Sequence, residues 1–244
     1  VDFHDGPVHP YGQMRTWPNA VTREYCHAQL DGHHVFEPKT FVTPVFVNMV
    51  AGPIDMNNGM FDLRQGHTTR VDESQPVPST LVSEAARTLI AFSGVTILPD
   101  IPEYYRKYPA LLNFLSAQKM PWKESRTLAG EIGEYIVMMR ETEDAYLVGA
   151  ATNESGRTID LPLSFLEKGK YTVEVIEDGD DAHYLTNRES LKVTTWQLTN
   201  NDKLALKLAP GGGACLVIKK TPSMRVGEQA AFPLVSPSWK IGRE

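Results

Sequence analysis

Apolar and polar residues alternate in long blocks along the first half of the chain. Residues 41–50 form a nearly continuous apolar run, which favours a strand or a helix buried on both faces. A turn signal rich in Gly, Pro and Asn follows at residues 51–59. Residues 79–93 carry apolar side chains at helical spacing, with Ser79 and Thr80 placed to cap the start of a helix.

The pattern then changes period twice over a short distance. Gly94 is placed to end the helix, and residues 95–98 read as a short buried strand. A second helix is predicted over residues 102–118, with an apolar stripe of Tyr105, Leu111, Leu112 and Leu115. Helix, strand and helix in this order indicate a repeating β/α arrangement.

From about residue 128 the pattern becomes that of short strands separated by turns. Such spacing, every eight to twelve residues, is typical of an antiparallel β-sandwich. The predicted strands lie at residues 134–140, 146–151, 158–161, 171–176, 191–194, 204–208 and 214–218.

The two patterns divide the chain into an α/β part and an all-β part. Residues 1–125 are predicted to be the C-terminal portion of a (β/α)8 TIM barrel, and residues 126–220 an antiparallel β-sandwich. Residues 221–244 are predicted to be an extended tail. A closed barrel needs eight β/α units, or roughly 200 residues, whereas about three fit here. We therefore expect the missing half of the barrel to lie upstream of Val1 or in another chain.

Composition narrows the classes of partner. The formal net charge is −6 and there is no Lys/Arg-rich run, which argues against nucleic acid as a partner. No apolar stretch reaches the roughly 18 residues of a membrane span. Cys26 and Cys215 fit no zinc spacing and are interpreted as two lone thiols.

Ionisable residues cluster near the N-terminus, where a strand of an α/β enzyme would end. His4 and Asp5 follow the apolar Val1–Phe3 segment, and polar residues at such strand ends usually serve the active site. Arg15 and Asn19 flank Trp17-Pro18, and an Arg there can bind a carboxylate through two hydrogen bonds. A hydrogen-bonded turn and a structural salt bridge are the alternatives.

Glu24 and Asp31 are the next acidic residues. Glycoside hydrolysis needs a pair of carboxylates, one to protonate the leaving oxygen and one to act as nucleophile or base. Crowded carboxylates also attract Ca²⁺, which takes about six to eight oxygen ligands. On spacing alone, a solvated surface position is favoured for either residue taken singly.

Several motifs, taken in order, resemble glycoside hydrolase family 97. They are the strand ending in His4, then His9-Pro10-Tyr11-Gly12, Arg15-Thr16-Trp17-Pro18-Asn19, Thr22-Arg23-Glu24, Ala51-Gly52-Pro53-Ile54-Asp55 with Gly59, Pro121-Trp122-Lys123-Glu124 and Gly130-Glu131-Ile132-Gly133-Glu134-Tyr135. The resemblance implies a catalytic (β/α)8 barrel followed by a C-terminal β-sandwich. It also implies Ca²⁺ bound through glutamates, and a periplasmic or secreted bacterial α-glucosidase or α-galactosidase.

The resemblance also implies roles for individual residues, with two departures. Glu24 matches a glutamate that binds calcium in inverting members. The catalytic acid is expected six residues later, where this chain has Leu30 followed by Asp31. Retaining members take their nucleophile from an earlier strand, which lies outside this chain. In the second departure, Lys123 stands where members tend to have Asp.

These features predict a retaining α-glycosidase acting on an α-galactoside or α-glucoside within an oligosaccharide. Asp31 is predicted as acid/base, and Glu24 and Asp5 are predicted to hold Ca²⁺ or to orient the sugar. The predicted pocket lining is His4, Arg15, Asn19 and Asp55. The alternatives are a non-catalytic sugar-binding or scaffold protein, favoured by the absence of Glu at position 30, and a degradation fragment without a function of its own.

Overall fold

The computed structural model describes residues 2–3, 16–23, 37–63 and 77–222. Within these ranges the helices are α1 (Pro38–Phe41), α2 (Pro44–Val47), α3 (Leu81–Ile90), α4 (Pro102–Arg106) and α5 (Pro109–Ala117), with a 3₁₀ turn at Asn48–Ala51. The strands are β1 (Asp2–Phe3), β2 (Thr22–Arg23), β3 (Glu124–Glu131), β4 (Tyr135–Glu141), β5 (Tyr146–Thr152), β6 (Arg157–Pro162), β7 (Lys170–Asp178), β8 (Leu191–Thr199), β9 (Lys203–Leu208) and β10 (Gly213–Lys220).

Helix α3 begins where its cap was expected and ends earlier than expected. The side chain of Thr80 accepts a hydrogen bond from the Ser83 N–H at 3.1 Å, which satisfies one of the free donors of the first turn. The helix ends at Ile90 rather than at Gly94, because Ala91 already has an extended backbone. Every residue of α3 is buried, so this helix lies in the interior.

Three expectations for the first half need correction. Residues 95–98 are exposed and form no strand, because a short apolar run cannot by itself specify a neighbouring strand. The helix predicted over 102–118 is divided into α4 and α5, since Pro109 disfavours helical backbone at Tyr108. The run at 41–50 is helical but not buried on both faces, because Val50 is 85% exposed.

The second half forms a β-sandwich of unequal sheets. The larger sheet is antiparallel with the strand order β3-β4-β5-β10-β7-β8, and β6 pairs with β9 in a sheet of two strands. The predicted strands are all present, although β8 extends five residues beyond its predicted end. Strand β3 was not predicted, because its polar sequence lacks the apolar alternation of its neighbours.

The central strands of the larger sheet are covered on both faces, and this explains their composition. One face packs against β6 and β9 through residues such as Val137, Val148 and Leu216. The other face packs against the helices through a second set of buried residues: Ile136, Met138, Leu147, Cys215 and Val217. Strands β4, β5 and β10 therefore have apolar runs, as expected of strands buried on both faces.

Two glycines allow α3 to lie directly on this sheet. A Cβ at Gly213 would come within 2.8 Å of Ser83 Cα and 2.6 Å of Ala150 O. A Cβ at Gly149 would come within 2.9 Å of Ala86 O. The helix backbone and the sheet backbone are therefore in close contact, which joins the α/β part to the sandwich.

A buried carboxylate lies beside this junction. Asp178, 3% exposed, ends β7, and its Oδ2 accepts hydrogen bonds from the N–H groups of Ala209 at 3.0 Å and Gly213 at 2.7 Å. Burial raises the pKa of Asp178 to about 6, against the opposing effect of hydrogen bonds from Thr80, Ala209 and Gly213. The neutral form of Asp178 is thus favoured in the folded state relative to the unfolded chain.

This raised pKa predicts a pH dependence of stability. Since protonation favours the folded state, the free energy of unfolding should rise as the pH falls through 6, by about 1–2 kcal/mol between pH 8 and pH 5. The Asp178→Asn variant should lack this component, whereas Asp160→Asn, at an exposed ion pair with Lys203, should keep it. Chemical unfolding of the full-length proteins at the two pH values measures the difference. Equal pH dependence in wild type and Asp178→Asn would contradict the assignment.

The described residues of the α/β part form separate segments that contact one another through backbone hydrogen bonds. Strands β1 and β2 pair in parallel, as expected of a β/α arrangement. The N–H of Gly94 donates to Val21 O at 3.2 Å, and that of Ile54 donates to Phe92 O at 2.9 Å. The half-barrel and the domain bounds at residues 125 and 220 stay predictions, and residues 223–244 of the predicted tail lie outside the described residues.

Candidate active-site loop

The structure describes two of the seven predicted site residues. His4, Asp5, Arg15, Glu24 and Asp31 lie outside the described residues, as does Cys26. Asn19 is exposed in a turn closed by a hydrogen bond from Ala20 N–H to Trp17 O at 2.9 Å. Asp55 is 7% exposed. The roles assigned to all seven residues stay predictions.

Asp55 lies next to the end of β2 and shapes its own loop. Its N–H donates to the carbonyl of Arg23 at 2.8 Å, which fixes the start of the loop against β2. The Oδ1 atom accepts from the Asn57 N–H at 3.1 Å, and Oδ2 accepts from Asn57 Nδ2 at 3.2 Å. Asn57 has a φ of 50°, a left-handed conformation that Asn tolerates better than most residues. The carboxylate is therefore held in one orientation.

The loop that continues from Asp55 is buried and has no regular secondary structure, so its backbone groups need side-chain partners. The first partner is Glu84 on α3. Its Oε2 accepts from the N–H of Gly59 at 3.1 Å and from that of Met60 at 3.3 Å. These charge-assisted bonds tie the loop to the helix that rests on the sandwich.

The other partners are Asp100 and Tyr105, which act on the next residues of the loop. Asp100 Oδ2 accepts from the N–H of Phe61 at 3.0 Å and from that of Asp62 at 2.6 Å. The Tyr105 hydroxyl donates to Gly59 O at 3.1 Å and accepts from the Asp100 N–H at 3.0 Å. Burial raises the pKa of Tyr105 to about 12, so the phenol keeps its proton and stays a donor at neutral pH.

Glu84 is itself paired. Its Oε1 accepts from Arg87 Nη1 at 3.0 Å, and both side chains are almost completely buried. Arg87 also lies over the Phe41 ring, with its Cζ 4.8 Å from the ring centroid. Burial lowers the pKa of Arg87, while the charge of Glu84 acts to raise it. The pair connects α1, α3 and the loop.

Sequence reasoning did not find these holding residues. Tyr105 was identified only as part of an apolar stripe, and its hydroxyl contact lies 46 positions away in the chain. The pairing of Glu84 with Arg87 could have been predicted, since an acid and a base three residues apart in a largely apolar helix indicate a buried pair. The partner of that pair could not be read from spacing, because the loop is 24 residues distant.

This arrangement presents Asp55 on a rigid support. The Asp55 side chain therefore keeps little conformational freedom. Within the described residues, no group of three His, Cys, Asp or Glu side chains is placed to hold a metal ion.

Comparison with known proteins shows which family the chain is similar to. Residues 121–219 match the family described as glycosyl-hydrolase 97 C-terminal, oligomerisation. The fold also superposes, over 91% of the chain, on a family 97 enzyme from Pseudoalteromonas sp. in complex with acarbose, with a TM-score of 0.81 and 28% identity. Residues 121–219 thus match glycoside hydrolase family 97, and the chain as a whole is similar to members of that family. The resemblance seen in the sequence motifs is therefore confirmed.

Two curated relatives are similar to the chain over most of its length. A retaining alpha-galactosidase from Bacteroides thetaiotaomicron is 30% identical over 224 residues, covering 90% of this chain and 33% of the relative. A probable retaining alpha-galactosidase from Streptomyces bingchenggensis is 28% identical over 181 residues, covering 74% of this chain and 26% of the relative. The chain thus spans between about a quarter and a third of the length of the curated relatives it matches.

The solved family 97 enzyme is longer in the same way, since the matched region is 35% of that chain. A crystal structure of a beta-arabinopyranosidase shares the fold at 21% identity, with a TM-score of 0.68 over 85% of this chain. None of the described helices is long and apolar enough to cross a membrane.

Proposed function

We propose that this chain is the C-terminal third of a retaining α-galactosidase. The observation that carries the proposal is the alignment of 90% of the chain with a relative named as a retaining alpha-galactosidase. An α-glucoside substrate, which the sequence left open, has less support, because both curated relatives are named for galactosides. The remaining half of the barrel is supplied by residues upstream of Val1. A periplasmic or secreted location is part of the same proposal.

The reaction proceeds by double displacement. A carboxylate upstream of this chain attacks the anomeric carbon, while the carboxylic acid of Asp31 gives its proton to the departing glycosidic oxygen. Asp31 then removes a proton from water, which attacks the anomeric carbon and releases the carboxylate nucleophile. Asp55, held by Asn57 and by the loop contacts of Glu84, orients the sugar together with His4, Arg15 and Asn19.

Calcium is proposed at the carboxylates of Glu24 and Asp5, which are the hard oxygen donors that Ca²⁺ takes. It would supply positive charge beside the sugar hydroxyls. Treating the full-length enzyme with a chelator is expected to abolish most of the activity, and Ca²⁺ is expected to restore it better than Mg²⁺. Full activity in excess chelator would contradict the calcium proposal and leave the carboxylate chemistry untouched.

Hydrolysis by the full-length protein tests the proposed activity. Nitrophenyl α-galactoside should be cleaved faster than nitrophenyl α-glucoside, because both curated relatives are named for galactosides. The alternative drawn from Leu30, a non-catalytic sugar-binding protein, is not favoured by the relatives. Stabilisation by sugars without hydrolysis of either glycoside would favour that alternative.

A further inference from the structure

The two edges of the larger sheet are protected to different degrees. Natural sheets guard their edges with charges, prolines, bulges or short strands, because free backbone N–H and C=O groups invite another strand. Strand β3 at one edge carries Glu124, Arg126 and Glu131, and its pairing with β4 shifts register after Thr127. It is therefore a guarded edge.

Strand β8, at the other edge, has fewer of these features. It is nine residues long, contains no proline, and pairs with β7 without a register shift. Its sequence, Leu191-Lys192-Val193-Thr194-Thr195-Trp196-Gln197-Leu198-Thr199, has one charged residue and is rich in residues that favour strands. Among the described residues, its outer edge has no strand neighbour.

Apolar side chains are exposed on both faces of this edge. Trp196 is 51% exposed and Val193 is 44% exposed, and alternation places them on opposite faces of β8. The Trp196 face borders a cleft of about 400 Å³ between β8 and β9, whose apolar lining includes Leu198, Leu204 and Leu206. The cleft exists because the smaller sheet has two strands and leaves β8 uncovered.

We propose that the edge of β8 pairs antiparallel with β8 of a second copy of this chain, about a two-fold axis. The matched family region, whose description includes oligomerisation, covers residues 121–219 and so contains this edge. The proposal concerns assembly and is independent of the hydrolytic function. Trp196 of each copy then covers part of the cleft, and each sandwich gains a strand neighbour.

The strand is complementary to itself in this arrangement. A two-fold axis at Thr195, the midpoint of β8, keeps all nine residues paired and places Thr194 opposite Trp196 of the other copy. Lys192, the one charged residue of the strand, then faces Leu198 rather than another Lys192, so no like charges oppose each other. The Trp196 Nε1 group, which donates to Thr194 Oγ1 at 3.2 Å, already lies along this face.

Sedimentation of the full-length protein over a range of concentrations tests the pairing. Wild type is expected to be a dimer or a larger even-numbered assembly. Trp196→Lys should weaken the dimer by at least about 100-fold, because a large aromatic anchor is lost twice in each interface. Thr127→Lys on the guarded edge β3 is the matched control and should leave assembly unchanged. Both positions are exposed, so circular dichroism and hydrolysis should match wild type in both variants.

Disulfide cross-linking gives a second test of the pairing that does not depend on weakening the dimer. Thr195→Cys should form a disulfide-linked dimer under mild oxidation, because the axis brings the two copies of this residue together. Thr127→Cys should not. A monomeric wild-type protein would overturn the proposal, whether or not residues 223–244 of the same chain cover the edge. An assembly unaffected by Trp196→Lys, or no cross-link at Thr195→Cys, overturns it equally.

Discussion

Replacing Asp31 by Asn in the full-length enzyme is expected to lower kcat/KM for a galactosyl disaccharide by about 10²–10⁴-fold, the usual contribution of general acid–base catalysis. The sugar leaving group of a disaccharide is a poor one and needs a proton as the glycosidic bond breaks. Nitrophenolate leaves without that proton, so the first step with nitrophenyl α-galactoside should lose much less. Steady-state rates on the two substrates give the comparison, and the difference between them identifies an acid rather than a residue that only binds the sugar.

Two further variants make this test decisive. Asp160→Asn changes an exposed carboxylate on β6 and should leave both rates unchanged. Adding Leu30→Glu to Asp31→Asn places a carboxylate six residues after Glu24. Recovery of disaccharide hydrolysis in the double variant would show that this loop accepts an acid at position 30. Wild-type rates on both substrates with Asp31→Asn alone would remove Asp31 from the mechanism.

The second large effect is expected from Glu84→Ala, which should destabilise the protein by about 3–5 kcal/mol. The change leaves the N–H groups of Gly59 and Met60 without their acceptor and leaves Arg87 buried without its carboxylate. Chemical unfolding of the full-length protein measures this loss of stability, from the transition in which this region unfolds. Since the same loop positions Asp55, turnover at low temperature should fall as well.

Matched variants separate the charge from the hydrogen bonds. Glu84→Gln keeps an oxygen acceptor for the loop but removes the ion pair, so its destabilisation should fall between wild type and Glu84→Ala. Glu103→Ala breaks an exposed pair with Arg106 on α4 and should cost less than about 1 kcal/mol. If Glu84→Ala were as stable as Glu103→Ala, the loop would not depend on α3.

Most of the sandwich could be predicted from the sequence, because its signals are local. Strands β4, β5 and β10 are apolar runs bounded by turn residues, and β6, β7 and β9 alternate between buried and more exposed side chains. Helix α3 was found for the same reason, since its cap and its apolar spacing lie within a few residues of each other. The pairing order of the strands had no such signal.

Features that depend on distant partners could not be predicted. The apolar run at 95–98 looks like a strand, but no local pattern says whether a neighbouring strand exists. The loop from Asp55 is held by Glu84, Asp100 and Tyr105, whose backbone partners lie 24 to 46 positions away in the chain. For the candidate site, composition and the order of the sequence motifs indicated the family. The contacts that hold the Asp55 loop could be found only from the structure.

The anomer released first by the full-length enzyme tests the central claim most directly. Proton NMR of α-galactoside hydrolysis, recorded before mutarotation, should show α-galactose as the initial product, because two displacements at the anomeric carbon restore its configuration. β-Galactose as the initial product would contradict the retaining mechanism, and no cleavage of any α-galactoside would contradict the proposed activity itself.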